Sequence, residues 1–204
     1  MKLVVFGATG GTGQLLTRMA LNAGHDVTAF ARRAGSIEDG SRVIVGDVRD
    51  IAAVSAAVAD QDVVLSALGG RPWRKDPPCA PAIRSIGGAM MKHGVRRIIA
   101  ISTLGAGDTR ADVGWFARNV LFRFILRKEV ADKEAMEDYL AATELDWTVV
   151  WVGILADGPT KDQVRAADDH TIRGMGRITR ENVAKFMIAQ TESQQWLRRK
   201  PVLV

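Results

Sequence analysis

A doubly wound α/β fold, with a mostly parallel sheet covered by helices on both faces, is predicted by three observations. Short apolar runs alternate with helix-patterned segments along most of the chain. The runs are apolar at successive positions rather than at every second one, as strands buried on both faces require. The first run ends in a cluster of glycines that opens a helix. Right-handed crossovers between parallel strands distribute the helices over both faces.

In order, Lys2–Phe6 reads as a strand, and Gln14–Ala23 as a helix with Leu16, Met19, Ala20 and Ala23 at helical spacing before a stop at Gly24. Strands are expected at His25–Phe30, Val43–Val45 and Val63–Leu65, with a helix at Ile51–Ala59. Ala82–His93 forms the next helix, and Arg96–Ile101 a β-branched strand closing on Ser102-Thr103. After the loop Gly105–Asp112 a long helical region runs over Val113–Thr143, then a strand at Trp147–Trp151 and a loop through Pro159. Glu181–Gln190 reads as a helix and Pro201–Val204 as a terminal strand or docked tail.

Composition narrows the function classes. A chain of 204 residues, 47% hydrophobic, fills one core, so a single domain over residues 1–204 is expected. The longest greasy stretch, Trp115–Leu126, is interrupted by Arg118 and Arg123 and falls short of the roughly 18 apolar residues that span a bilayer. No membrane span is expected, and the opening residues are too short an apolar run for a signal peptide. Cys79 is alone, and His25, His93 and His170 lack ligand spacing, so neither a disulfide nor a metal is expected in a reducing, cytoplasmic setting. The net charge of +5 is spread over small clusters at Arg71/Arg74/Lys75, Arg127/Lys128 and Arg198/Arg199/Lys200. No nucleic-acid motif accompanies them, and they read as solvated surface, with a phosphate-bearing ligand as the alternative, rather than as a nucleic-acid footprint.

Gly7-Ala-Thr9-Gly10-Gly11-Thr12-Gly13 lies between a strand and a helix, the context in which a glycine pattern signals a dinucleotide-binding (Rossmann) loop. Glycines let the backbone approach a pyrophosphate, and the helix's first amides and positive dipole end stabilise its charge. Thr12 adds a hydroxyl. An NAD site usually carries an acid after the second strand; here the place reads Ala31-Arg32-Arg33. Two guanidinium groups suit a ribose 2′-phosphate, so NADP(H) is expected in preference to NAD(H).

Together with Phe30-Ala-Arg-Arg33, Gly46-Asp-Val48, Asp62-Val-Val-Leu-Ser-Ala-Leu-Gly69, Met90-Met-Lys-His-Gly-Val-Arg96, Leu145-Asp-Trp-Thr-Val-Val150 and Ile178-Thr-Arg-Glu-Asn-Val-Ala184, the loop resembles the atypical short-chain dehydrogenase/reductase group. Within it the resemblance is to the NAD(P)H-binding, NmrA-like family and its biliverdin-IX-beta reductase/flavin reductase branch. The resemblance implies that Gly7, Thr9 and Gly10–Gly13 surround the pyrophosphate, Arg32 and Arg33 the 2′-phosphate, Asp47 and Val48 the adenine, and Ala67, Leu68 and Gly69 the ribose. Ser102, Thr103 and Lys133 then stand on the nicotinamide and substrate side, joined by Val152, Gly153 and Ile154, with residues from about 151 to 204 completing that side.

Two departures bear on mechanism. The wider superfamily's Tyr-x-x-x-Lys pair aligns its lysine with Lys133, but the position four earlier is Glu129. The only tyrosine, Tyr139, lies six residues after Lys133, about 240° around the helix, and is no substitute. The histidine often found after the sixth strand in the flavin-reductase-like branch corresponds to Ile154. Reducing an isolated ketone makes an alkoxide that needs a positioned proton donor. A flavin, quinone or tetrapyrrole-like acceptor delocalises the charge and takes its proton from water. The sequence therefore predicts an NADPH-dependent oxidoreductase acting on a small aromatic or conjugated substrate, with Ser102 or Thr103 polarising it and Lys133 supplying positive charge.

Trp115–Leu126 is read as an apolar lid, a core helix or a homodimer contact, and Trp73 as a stacking residue or loop anchor. A non-catalytic NADP(H)-binding sensor, and less so a nucleotide-sugar epimerase or dehydratase, are the competing readings.

Overall fold

A computed structural model describes residues 1–37, 40–69, 78–105, 127–158, 164–167 and 176–203. Trp73 and its basic neighbours, most of the 105–112 loop and the apolar stretch 115–126 lie outside the described residues. The elements are β1 (Lys2–Phe6), α1 (Gly11–Asn22), β2 (Asp26–Ala31), β3 (Arg42–Val45), α2 (Ile51–Val58), β4 (Val63–Ser66), α3 (Cys79–His93), β5 (Arg97–Thr103), α4 (Arg127–Ala141), β6 (Asp146–Val152), β7 (Ile154–Ala156), β8 (Ala166–Ala167), β9 (Arg177–Thr179), α5 (Arg180–Ala189) and β10 (Val202–Leu203). The strands and helices expected from local pattern appear within a few residues of their expected ends, except the region Val113–Thr143, of which the helix Arg127–Ala141 is described and residues 113–126 lie outside the described residues. The additions are β7, β8 and β9, each of three residues or fewer, too short to carry a period.

Eight strands form one sheet in the order β3-β2-β1-β4-β5-β6-β10-β8, and β7 pairs with β9 separately. All pairs in the large sheet are parallel except β10 with β8. The chain winds outward from β1 to β3, then returns across β1 to β4, so the strand order reverses between β1 and β4. In such a doubly wound sheet, the crevice beyond the carboxyl ends of these two strands is where ligands bind.

The sheet divides the apolar residues into two cores. Phe6, Phe30, Val54, Ile83, Ile86, Met90, Met136 and Leu140 pack on the face covered by α2, α3 and α4. Leu3, Leu16, Ala20, Ile99, Val150, Val183 and Met187 pack on the face covered by α1 and α5. Leu16 and Ile99 are fully buried, and burying each such side chain contributes about 1.5–3 kcal/mol relative to exposure.

Helix ends are satisfied by identifiable groups. Asp50 caps α2 by accepting from the amides of Ala52 and Ala53, and Thr179 caps α5 by accepting from Asn182. Gly94 ends α3 at φ 71°, the left-handed conformation that favours glycine. The start of α3 has no side-chain cap of its own. Instead the Asp132 carboxylate on α4 accepts from the amides of Cys79 and Ala80, both at 2.8 Å. This cap ties α3 to α4 across more than fifty residues of sequence. Asp132→Ala is expected to cost about 1–2 kcal/mol of stability, the range for losing a cap, read as a lower urea midpoint with an unchanged slope.

Among the described residues, no helix is long and apolar enough to cross a membrane.

Candidate cofactor cradle and reaction cleft

The glycine loop leaves β1 at Gly7, whose φ of +82° excludes most side chains. A Cβ at Gly7 would also stand 2.7 Å from the backbone of Ala67, so the loops following β1 and β4 are in direct contact. Gly10 donates its amide to the Gly7 carbonyl and caps α1 in extended conformation without any side-chain acceptor. No acidic residue occupies the first turn. The amides of that turn are therefore left for an external anion at the positive end of the helix. A Cβ on Gly13 would meet the Gly7 carbonyl oxygen at 2.1 Å. Removing side chains at Gly7 and Gly13 is thus what lets the loop close, and the resulting cradle fits a pyrophosphate.

Arg32 and Arg33 follow β2 directly, and both are exposed beside the carboxyl end of β1. Asp47 is exposed, with its carboxylate accepting from the Arg49 amide, while Val48 packs on the α2/α3/α4 core. These four residues sit one or two strands from the glycine loop, away from the cleft described next.

A cleft of about 250 Å³ opens on the other side of the loop. Thr12, in the first turn of α1, lines it, as do Ala67, Leu68 and Gly69 after β4 and Ser102 and Thr103 at the end of β5. Val152 and Gly153 after β6 contribute, and α4 supplies Glu129, Val130, Asp132 and Lys133. Nine of the sequence-selected residues thus share one cleft. Ile154 is 48% exposed and is not part of its wall.

Lys133 is buried, its ammonium donating to the carbonyl oxygens of Leu68 at 2.9 Å and Ile101 at 2.6 Å. It thereby holds the ends of β4 and β5 together and places a positive charge in the cleft wall. Thr103 is half-buried at the cleft. The Ser102 hydroxyl, by contrast, donates to the Glu137 carboxylate on α4 and is almost fully buried. Glu137 also accepts from the Trp151 indole at 2.9 Å and pairs with Lys200 at 3.1 Å. Tyr139 faces α3, where its ring fills the space over Gly87 and carries the Arg84 guanidinium. It is turned from the cleft, as its helical angle from Lys133 requires.

Besides Asp132 and Glu137, Arg180 and Glu129 went unselected by sequence reasoning. Arg180, the first residue of α5, lies against the glycine loop: a Cβ on Gly11 would be 3.0 Å from its Cδ and 3.1 Å from its Nε. Its guanidinium pairs with Asp157 at 2.6 Å. Glu129 lines the cleft one helical turn before Lys133, and its Oε1 is buried with no hydrogen-bond partner among the described residues. Burial pushes the Glu129 carboxyl above the usual carboxylate range, with Lys133 opposing the shift and Asp132 adding to it. Burial likewise pushes the Cys79 thiol up, so this cleft-lining cysteine stays a neutral thiol. No cluster of metal-ligating side chains occurs among the described residues.

Residues 7–194 match a family model described as NAD(P)H-binding. The chain belongs to the NAD(P)H-binding family. Family members bind a nicotinamide dinucleotide, and the glycine cradle falls inside the matched range. Among curated relatives, a Streptomyces protein named 3-diazoavenalumate denitrifying reductase is 37% identical over 114 residues, half of this chain and 38% of that protein. An uncharacterized protein of Mycobacterium tuberculosis is 34% identical over 104 residues, 50% of this chain and 12% of its length. The chain therefore spans well under half of the curated relatives it matches.

Solved structures share the fold across essentially the whole chain. The anaerobillin reductase ChuY from Escherichia coli superposes with a TM-score of 0.86 at 23% identity, covering 100% of this chain and 97% of that one. A short-chain dehydrogenase/reductase from Veillonella parvula, solved with NADP, gives 0.82 at 19% identity, covering 99% and 93%. These likenesses establish a Rossmann architecture as this family member's fold.

Proposed function

We propose that this family member is an NADPH-dependent oxidoreductase whose acceptor is a small conjugated molecule such as a flavin, a quinone or a tetrapyrrole. The observation that carries this reading is the continuity of cradle and cleft. Thr12 belongs to the uncapped first turn of α1 and also lines the cleft walled by Thr103, Glu129 and Lys133. A dinucleotide whose pyrophosphate rests on the glycine loop therefore has its reactive end directed into that cleft. When bound, the reduced nicotinamide supplies the hydride for the reduction.

The chain's own residues do the rest. Gly7, Thr9, Gly10, Gly11, Thr12 and Gly13 hold the pyrophosphate, with the Arg180 guanidinium beside Gly11 as a further cation. Arg32 and Arg33 bind the ribose 2′-phosphate, and Asp47 and Val48 flank the adenine. Ala67, Leu68 and Gly69 border the ribose, and Val152 and Gly153 close the opposite wall. Lys133 orders the strand ends and lends positive charge, and Thr103 presents its hydroxyl to the acceptor. Ser102, held by Glu137, orients α4 against β5. The names of the Streptomyces reductase and of ChuY support a reductase, while a glutamate in place of the tyrosine at position 129 favours a delocalised acceptor over an isolated ketone and is also the feature that best suits a sensor.

NADPH oxidation followed spectrophotometrically, with FMN, a quinone and biliverdin supplied separately, tests the reading. Turnover with at least one acceptor is expected. Tight NADPH binding without any turnover would reject it and favour a redox sensor. The double variant Arg32→Glu/Arg33→Glu is expected to weaken NADPH binding by about 100-fold, since charge-assisted hydrogen bonds contribute roughly 1.5–3 kcal/mol each and these are exposed. Its NADH affinity should change little. Equal loss for both coenzymes would remove the arginines from 2′-phosphate recognition.

A further inference from the structure

We propose that Glu129 is the catalytic proton donor of the cleft, and that the acceptor is a conjugated molecule whose ring nitrogen or oxygen receives that proton as hydride arrives on its carbon framework. The inference rests on the reductase reading above and adds to it the group that completes the reaction.

Geometry supports it first. Glu129 and Lys133 stand one turn apart on the cleft-facing side of α4, so both reach the same space. Other charged groups around the cleft are already committed. Asp132 spends its two carboxylate oxygens on the amides of Cys79 and Ala80, and Lys133 spends two of its donors on Leu68 and Ile101. Glu137 is engaged by Ser102, Trp151 and Lys200. Of the two acids that line the cleft among the described residues, Glu129 and Asp132, only Glu129 keeps a buried oxygen without a hydrogen-bond partner, whereas Glu137 Oε2, outside the wall, is ion-paired with Lys200. A buried carboxyl oxygen with no donor to accept from is costly when ionised and comfortable when protonated. Among the described residues, the titratable groups that face it are Lys133 and Asp132 from its own helix, with the Cys79 thiol of α3 on the same cleft wall.

The chemistry balances without a further reagent. Two electrons and one hydrogen arrive with the hydride that the dinucleotide supplies. The Glu129 O–H bond breaks, its proton joins the acceptor heteroatom carrying the new electron pair, and solvent restores the proton to the carboxylate. A carboxyl whose burial favours its protonated form is better suited to giving up a proton to a delocalised anion than an ordinary exposed glutamate. Lys133 nearby favours the carboxylate left behind.

Two measurements on the full chain test this. In ¹³C NMR of protein labelled at glutamate side-chain carboxyls, one resonance should titrate above the ordinary glutamate range and be missing in Glu129→Gln. All glutamates titrating within that range would overturn the proposal. In the acceptor-reduction assay, wild-type kcat should fall as pH rises through that pKa, because the protonated acid is the active form. Glu129→Gln should lose this limb and about 10²–10⁴-fold in kcat, while its NADPH affinity and melting temperature stay near wild type. Retained turnover in the variant, with wild type active, overturns the assignment of Glu129 but leaves the reductase reading intact. An inactive wild type with every acceptor overturns both.

Discussion

Gly13→Ala is expected to unfold part of the cofactor cradle, lowering stability by about 3 kcal/mol and weakening NADPH binding at least about 100-fold. In an ordinary helix the change would help, since alanine exceeds glycine by roughly 0.5–1 kcal/mol. Here sterics decide the sign. The added methyl would stand 2.1 Å from the Gly7 carbonyl oxygen, 2.7 Å from its carbon and 2.8 Å from Ala8 Cα. None of these atoms can retreat easily. The Gly7 carbonyl accepts from Gly10, and Gly7 itself is pressed against the Ala67–Leu68 backbone. Opening the turn therefore moves the very amides that would face the pyrophosphate. Gly10→Ala is the matched control for stability, because its Cβ would lie at an ordinary 3.4 Å from the Gly7 oxygen. Urea unfolding and a fluorescence titration with NADPH should separate the two variants; wild-type binding by Gly13→Ala would refute the steric account.

Glu137→Ala is expected to cost about 3–5 kcal/mol, the range for leaving half of a buried ion pair uncompensated. Glu137 is 2% exposed and its carboxylate engages Ser102 of β5, Trp151 of β6 and Lys200 just before β10. Its removal strands the Ser102 hydroxyl and Trp151 indole, and breaks the ion pair with Lys200, whose ammonium stands 5.3 Å from the Trp151 ring. Domains of this kind are stable by only about 5–15 kcal/mol, so the variant should be marginal at 37 °C. Replacing both partners, as Glu137→Leu with Lys200→Met, should recover only part of the loss, because an apolar pair removes the broken ion pair while the Ser102 hydroxyl and Trp151 indole still lack their acceptor. A single-variant loss below about 1 kcal/mol in urea would contradict the role assigned to the carboxylate.

The legible and illegible parts of this chain divide by sequence range. Lys2–Phe6, Arg97–Thr103 and the glycine loop announce themselves because their signals, continuous apolar runs and small residues at a strand-to-helix turn, act within a dozen residues. The arginines after β2 are legible for the same reason. What escaped depends on partners that only folding brings together. Asp132 caps a helix more than fifty residues earlier, and Arg180 meets Gly11 from nearly the other end of the chain. Glu129 was visible as a residue in the wrong place for a tyrosine. Its character as an acid comes from the burial of one oxygen, and burial has no local signature. The hydroxyl of Ser102 reads alike from sequence whether it faces the cleft or Glu137.

The two cores separated by the sheet give the site an unusual independence. The pyrophosphate cradle rides on α1 and its core, whereas Glu129 and Lys133 ride on α4 and the other core, with fully buried strands between them. Changes at sites without shared partners usually add to within about 0.3–0.5 kcal/mol. Core substitutions beneath α4 should therefore combine with core substitutions beneath α1 as simple sums, except where they disturb the Ala67–Leu68 loop, which touches both Gly7 and Lys133. A lineage built on this plan can drift along one face, sampling new cleft shapes, while its hold on the dinucleotide is inherited unchanged.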